Sequence, residues 1–342
     1  MKKFLMLVLM LVFVLGTLMS VSASEFTIKY AHGDPPDAYK GSAHADSLAF
    51  KNYVESRSGG RISVEIYPAC QLGSERELFE GVKMGSIEMC NVGGGFEGFY
   101  PPVMVWSIPY VFISPPVAWE VLDGEFGDAI KEGMLEATGV RLLELTENGF
   151  RNFTNNKRPI RTPKDLEGLK FRTVESPVHM KMVESLGGNP VPIAWGELYT
   201  ALQQKVVDGQ ENPVSLIETA KFYEVQKYLT LDGHLYSVDI TVINEDFFQK
   251  LPDDLKNVVK DGAKIGSIIH RGFQQFNSET GAERLRELGM EIYAPTTEEL
   301  AMFQEKSQQP VIEYLKEQID PKWIDLLFVS IEKAEKKLYP AE

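Results

Sequence analysis

Cysteine is almost absent: Cys70 and Cys90 are the only two in 342 residues. That is too few for a disulfide-built scaffold, and no C-x-x-C spacing exists for a zinc knuckle or a dithiol redox centre. The pair either bridges in an oxidising compartment or stays as two small buried thiols. Histidine is also scarce. His32, His44, His179, His234 and His270 are scattered without metal-ligand spacing. Neither H-E-x-x-H nor G-x-S-x-G occurs, so the common metallopeptidase and serine-hydrolase signatures are missing. Basic residues are outnumbered 35 to 49 by acids, giving a net charge of −14. This disfavours nucleic acid and anionic membrane surfaces as partners. Internal repeats and low-complexity linkers are lacking as well.

There is only one long apolar run, Phe4 to Leu18, and it lies behind Lys2 and Lys3 and ahead of Val21-Ser22-Ala23. That is a basic start, an apolar middle and a small-residue cleavage site, so residues 1–23 read as a signal peptide removed after about Ala23. The run is too short and too N-terminal for a lasting membrane span. No cysteine follows the cleavage site to carry a lipid. Removing the segment removes two lysines and no acid, which brings the net charge to −16. A soluble exported chain without an anchor is retained by an outer membrane, so the expected location is the periplasm.

The remaining chain exceeds the size at which one core keeps growing, so two lobes are expected. Phe26, Ile28 and Tyr30 alternate with polar or small neighbours and predict a strand ending at His32. A helix follows over Ser42–Arg57, stopped by Gly59-Gly60. Ile62, Val64 and Ile66 predict a second strand. Ser74-Glu75-Arg76-Glu77 is a capping box opening a helix that ends at Gly85. Ile87 to Val92 predicts a third strand. Strand and helix in alternation indicate a parallel α/β sheet, whose ligands sit beyond the carboxyl ends of the strands. His32, Glu75 and the segment after Val92 fall there. Further on, Trp119–Ala137 predicts helix with a break near Gly124, Val140–Leu145 a strand, and Trp195–Gln204 a helix. Pro252 to Leu288 carries one helical pattern, about 50 Å long at ~1.5 Å per residue, enough to span both lobes.

Gly93-Gly94-Gly95-Phe96-Glu97-Gly98 fits G-x-G-x-x-G after a strand. A dinucleotide site would need the motif to open a helix, and Phe99-Tyr100-Pro101-Pro102 prevents that. The segment is instead a loop whose backbone passes close to something, either a ligand crevice or tight packing.

The stretch Asn148–Val174 holds two notable arginines. Arg151 sits between Phe150 and Phe153, and Arg172 in the alternating run Leu169–Val174. Between them, Thr162-Pro163 reads as a helix start ended by Gly168. A guanidinium presents a planar fork of donors that matches a carboxylate. Two of them on neighbouring elements are either a local anion site or two structural ion pairs. Trp195 is a core residue or the cover of an apolar ligand face. Asn212, before Pro213, caps a turn or contacts a carboxylate or hydroxyl.

At these residues the sequence resembles the solute-binding proteins of TRAP (tripartite ATP-independent periplasmic) transporters, in the branch of dicarboxylate binders. The segments that carry it are GGRISVEIYPACQLGSERELFEGVKMGSIEM, SIPYVF, ENGFRNFTNNKRPIRTPKDLEGLKFR, PIAWGELYTALQQKVVDGQENP and KFYEVQKYLT. The resemblance implies a two-lobed periplasmic binding-protein fold of α/β lobes with a ligand cleft between them. Lobe 1 would take 24–148 with about 237–276 returning to it. Lobe 2 would take 149–236 with about 277–296, and 297–342 would be C-terminal helices packing across both. It implies an organic-acid ligand, a membrane permease as partner, no cofactor, no catalysis, and a monomer. By position, Arg172 would hold the ligand carboxylate, with Arg151 and Asn212 nearby. Trp195 would pack on the ligand, and His32 and Glu75 would tune specificity.

One departure stands out. Sialic-acid-binding relatives carry an acid just after the third strand, where this chain has Gly93-Gly94-Gly95. A C4-dicarboxylate or sugar acid leads among ligand classes. With Phe96, Tyr100, Trp195 and Tyr236 as walls, an aromatic monocarboxylate also fits the sequence.

Overall fold

The computed structural model describes residues 24–340; the expected signal segment lies outside them. Strand β1 (Phe26–His32), helix α1 (Ser42–Arg57), β2 (Ile62–Tyr67), α2 (Glu75–Met84) and β3 (Met89–Val92) come first. Then follow α3 (Pro115–Leu122), α4 (Glu125–Thr138), β4 (Val140–Asn155), β5 (Lys170–Thr173), α5 (Pro177–Leu186) and β6 (Asn189–Pro192). Next are α6 (Leu198–Gln203), β7 (Gly209–Pro213), α7 (Val214–Thr219), β8 (Tyr228–Asn244), α8 (Glu245–Lys250) and α9 (Asp253–Glu287). The order closes with β9 (Glu291–Tyr293), α10 (Thr297–Gln318) and α11 (Lys322–Leu338).

One sheet runs through the molecule in the order β2-β1-β3-β8-β4-β7-β5-β6, with β9 also on β8. The β2-β1-β3 end is parallel, as its strand-helix alternation predicts. The β7-β5-β6 end is parallel too. Between them β4 and β8 form a long antiparallel pair with three register shifts, at Leu142/Glu144, Glu147/Gly149 and Arg151/Phe153. The C-terminal half of β8 pairs with β3 (Met89 opposite Ile243), and the C-terminal part of β4 pairs with β7 (Asn152 opposite Asn212). The same two strands therefore serve both ends of the sheet.

The capping box at Ser74 forms: Glu77 accepts from the Ser74 amide at 2.7 Å, and α2 stops at left-handed Gly85. Helix α9 is 35 residues, as expected from the sequence. Gly262 near its start lets it press on Phe50 and Val54 of α1. Near its end Arg284 grips Glu218 of α7 at 2.6 Å. It thus packs against helices from both ends of the sheet.

Two strands differ from the sequence reading. β4 extends to Asn155 and so takes Arg151 into the sheet. β8 was not anticipated. It is buried on both faces, and its polar residues find partners inside the protein, as Thr241 does with Asn91 and Asp239 with Asn148. Both cysteines are free, which answers the open choice at Cys70 and Cys90 in favour of thiols.

Candidate functional site

β1, β3, β5 and β6 all aim their carboxyl ends at the middle of the molecule, and a cavity of about 460 Å³ lies there. Just past β1 come Gly33 and Asp34, and past β3 comes Gly93. Past β5 comes Val174, and past β6 comes Trp195. Arg172, Arg151, Asn212, Trp195 and Glu75 of the predicted set line this cavity.

The two arginines differ. Arg151 is 4% exposed and saturated by the protein. Its Nε and Nη2 fork onto the Glu211 carboxylate, and Nη1 donates to Asn148 Oδ1 at 3.3 Å. Glu211 is also 3.3 Å from His234 Nε2, which in turn sits 2.9 Å from Asp232 through Nδ1. Burial alone would raise the Glu211 pKa, but Arg151, His179 and His234 hold it well below the usual range. Arg151 is therefore a structural ion pair at the cavity wall.

Arg172 is 2% exposed and donates Nε to the Ile193 carbonyl at 2.8 Å. Among the described residues it makes no ion pair, and neither terminal nitrogen has a hydrogen-bond partner. Burial, then repulsion from Arg151, lowers its pKa to about 10, so it stays charged at neutral pH. A desolvated guanidinium with free donors is a strong anion receptor.

The rest of the lining is polar and acidic. Glu75 Oε1 accepts from the Gly93 amide at 2.9 Å, and burial lifts its pKa to about 7. Asp34 accepts from the Ala43 amide at 2.9 Å. Asp239 Oδ1 accepts from Asn148 Nδ2 at 2.7 Å. Asn91 donates to Thr241 at 3.0 Å. Trp195 lies edge-on to Phe222 and covers Gly33, with Cδ1 3.2 Å from where a Cβ would stand. Asn212 donates to Gln210 Oε1, leaving its own Oδ1 without a protein partner.

Four residues expected at the site are elsewhere. His32 is fully buried behind the strand end, 3.1 Å from His44, with its pKa lowered to about 3 chiefly by burial; its neighbours Gly33 and Asp34 reach the cavity instead. Phe96 turns into the core against Phe79 and Trp106. Tyr236 is buried among Phe112 and Phe150 and accepts from Trp119 Nε1 at 3.1 Å. Tyr100 packs on Trp323. Of the aromatic walls expected from the sequence, Trp195 lines the cavity, while Phe96, Tyr100 and Tyr236 pack against aromatic neighbours away from it. The residues missed are Asp34, Asn91, Asn148 and Asp239.

The glycine run resolves both alternatives. Gly93 lines the cavity, with Asp239 Oδ1 2.5 Å from where a Cβ would stand, and Gly94 packs on Val174. No α-helix follows it; residues 101–107 form a 3₁₀ turn.

Residues 37–318 match the model of the bacterial extracellular solute-binding protein family 7, DctP. The chain belongs to this family. A solute-binding protein of Verminephrobacter eiseniae is 39% identical over 244 residues, 71% of this chain and 72% of that one. The sugar acid binding protein of Advenella mimigardefordensis, solved with galactonate, superposes with a TM-score of 0.87 at 32% identity, covering 92% and 100% of the two chains. A TRAP periplasmic solute binding protein of Roseobacter denitrificans, solved with L-galactonate, gives 0.83 at 31%, covering 89% and 99%. The two-lobed TRAP fold and the role of a transport component rather than an enzyme follow from this membership. The family is extracellular by description. Among the described residues no helix is long and apolar enough to cross a membrane.

Proposed function

We propose that this chain captures a polyhydroxylated monocarboxylate of the sugar-acid class in the periplasm and delivers it to a membrane permease. One observation carries the reading. Arg172 is the cavity's only arginine without a protein carboxylate, while Asp34, Glu75 and Asp239 supply acceptors around the same space. The ligand carboxylate goes to Arg172 with help from Asn212, and Trp195 covers the carbon chain. Hydroxyl hydrogens go to the acids, with Glu75 among them. A second carboxylate would face those acids. Two like charges ~4 Å apart at an effective dielectric of ~20 repel by about 4 kcal/mol, so a dicarboxylate is disfavoured. A bulky aromatic acid finds few apolar walls beyond Trp195, Val174 and Leu216.

The lobe boundary falls inside β4 and β8, near residues 148 and 236, where register shifts already bend the pair. The chain acts singly, after cleavage near Ala23. Closure is a population shift toward the ligand-bound form.

Thermal shift of refolded, ligand-free protein tests this. Galactonate at ~100 times its dissociation constant should add about 2.7 kcal/mol of stability. A clear shift with succinate and none with any aldonate or uronate overturns the sugar-acid assignment.

A further inference from the structure

Helix α9 sends an ionisable side chain, His270, into the core behind the cavity, beside the buried Arg271. His270 is fully buried. Its Nδ1 is 3.4 Å from Asp46 Oδ2 on α1, and its Nε2 is 3.4 Å from Asp239 Oδ2 on β8. The far oxygens of both acids are held as well. Asp46 Oδ1 accepts from Tyr30 at 3.2 Å, and Asp239 Oδ1 from Asn148 at 2.7 Å. Gly266, one turn earlier, brings the helix backbone so close that a Cβ would sit 2.2 Å from Asp46 Oδ1. The imidazole is thus clamped between two carboxylates, and one of them lines the ligand cavity.

We propose that His270 is a positioning residue for ligand selection, holding Asp239 in place as the acceptor of a ligand hydroxyl. This rests on the sugar-acid reading above. The charged groups around the ring support it. Asp46 faces it from α1, Asp239 from β8, Asp34 from beyond β1 and Glu147 from β4. His32 is the nearest other imidazole, and it is held neutral. Burial alone would discharge His270, but the two carboxylates 3.4 Å from its ring nitrogens, Asp239 and Asp46, outweigh it and push the pKa up to about 10. A neutral His270 would leave two buried acids sharing no cation. Asp239 would then lose the cation that stands 3.4 Å from its Oδ2 and keeps its other oxygen toward the cavity. The acid reaches the ligand, and the histidine acts only through it.

The plain alternative is a buried ion triad that staples α9 to α1 and does nothing for ligand choice. A double-mutant cycle separates the two. Calorimetry with galactonate, and succinate as control, is run on wild type, His270→Gln, Asp239→Asn and the double variant. The expected result is a loss of about tenfold or more in galactonate affinity for each single variant. The double variant should be no weaker than Asp239→Asn, and the galactonate-to-succinate ratio should fall in all three. Additive losses with an unchanged ratio overturn the proposal.

Because His270→Gln could fail to fold, ring ¹⁵N shifts are read on wild type too. The His270 ring should stay doubly protonated from about pH 5.5 to 8.5 and move when galactonate is added. A neutral ring at pH 7 overturns the proposal. Wild type that binds no sugar acid sinks the proposed function instead, and the ¹⁵N titration still decides the charge.

Discussion

A Cβ placed on Gly94 would stand 2.2 Å from Cγ2 of Val174. Gly94 follows β3 and Val174 follows β5, so the two loops come from opposite ends of the sheet and meet beside the cavity. Contact this tight has no room for a methyl group. Gly94→Ala should fold normally and close poorly, since overpacking of this kind costs about 1–3 kcal/mol. Galactonate affinity should fall about tenfold or more, and small-angle scattering should show less contraction on adding ligand. Unchanged affinity would mean that the seam yields without cost.

The two cavity arginines should respond in opposite ways. Arg151→Ala strands the fully buried Glu211 carboxylate, so stability should drop by about 3–5 kcal/mol. Arg172→Ala removes a buried charge that no carboxylate balances, so ligand-free stability should hold or rise. Its ligand affinity should fall by about 2–5 kcal/mol. Arg172→Lys should rescue little, because the fork is lost. Denaturant melts and calorimetry on the same variants check both halves. A destabilised Arg172→Ala that still binds galactonate would reverse the assignment.

Above about pH 6.5, where the neutral buried His32 no longer opposes it, stability should decline as pH rises toward 9. His270 is raised to about 10 and His234 to about 9, so each contributes fully below its ordinary 6.5 and loses that contribution as pH climbs toward the raised value. Glu75 and Glu97 are raised to about 7 from 4.5 by burial. Their folded state holds extra protons between those limits, so they too weaken the fold as pH rises. Glu211 acts the other way, losing its contribution only as pH falls below 4.5 toward its depressed value. Melting temperatures across pH 4–9 test the sum. A steady rise between about 6.5 and 9 would contradict it.

Two glycines of α9 offer a contrast. Gly266→Ala drives a methyl into Asp46 and should destabilise by about 1–3 kcal/mol. Gly272 faces open space, and Gly272→Ala should stabilise by about 1 kcal/mol through helix propensity alone. Thermal unfolding of the pair is the check; equal effects would place α9 further from α1 than described.

The parts legible in the sequence were those with strong local signals. The Ser74 box, the Gly85 stop and the 35-residue α9 followed from spacing and capping alone. Arg172 stood out as an arginine inside an alternating strand, a signal that left an anion site and a structural ion pair both open until its lack of a carboxylate partner was seen. β8 went unread although it is the longest strand, because its polar residues face the interior rather than solvent. Asp239 lies in Ser237-Val238-Asp239-Ile240-Thr241-Val242, and that alternation was a signal left unused. Asn91, a lone amide inside Met89–Val92, was another. Phe96 and Tyr236 misled because sequence spacing places a ring near a cleft without fixing which side it faces.

The backbone passes between the two ends of the sheet in β4, β8 and α9, and again from α10 on α5 to α11 on α3. Neither end of the sheet is a continuous stretch of polypeptide. Neither can be excised as a fragment, exchanged with a relative by a single recombination, or inherited as a module. In such a chain a new ligand preference has to accumulate by point substitution among the residues that face the cavity, while both ends of the sheet change together or not at all.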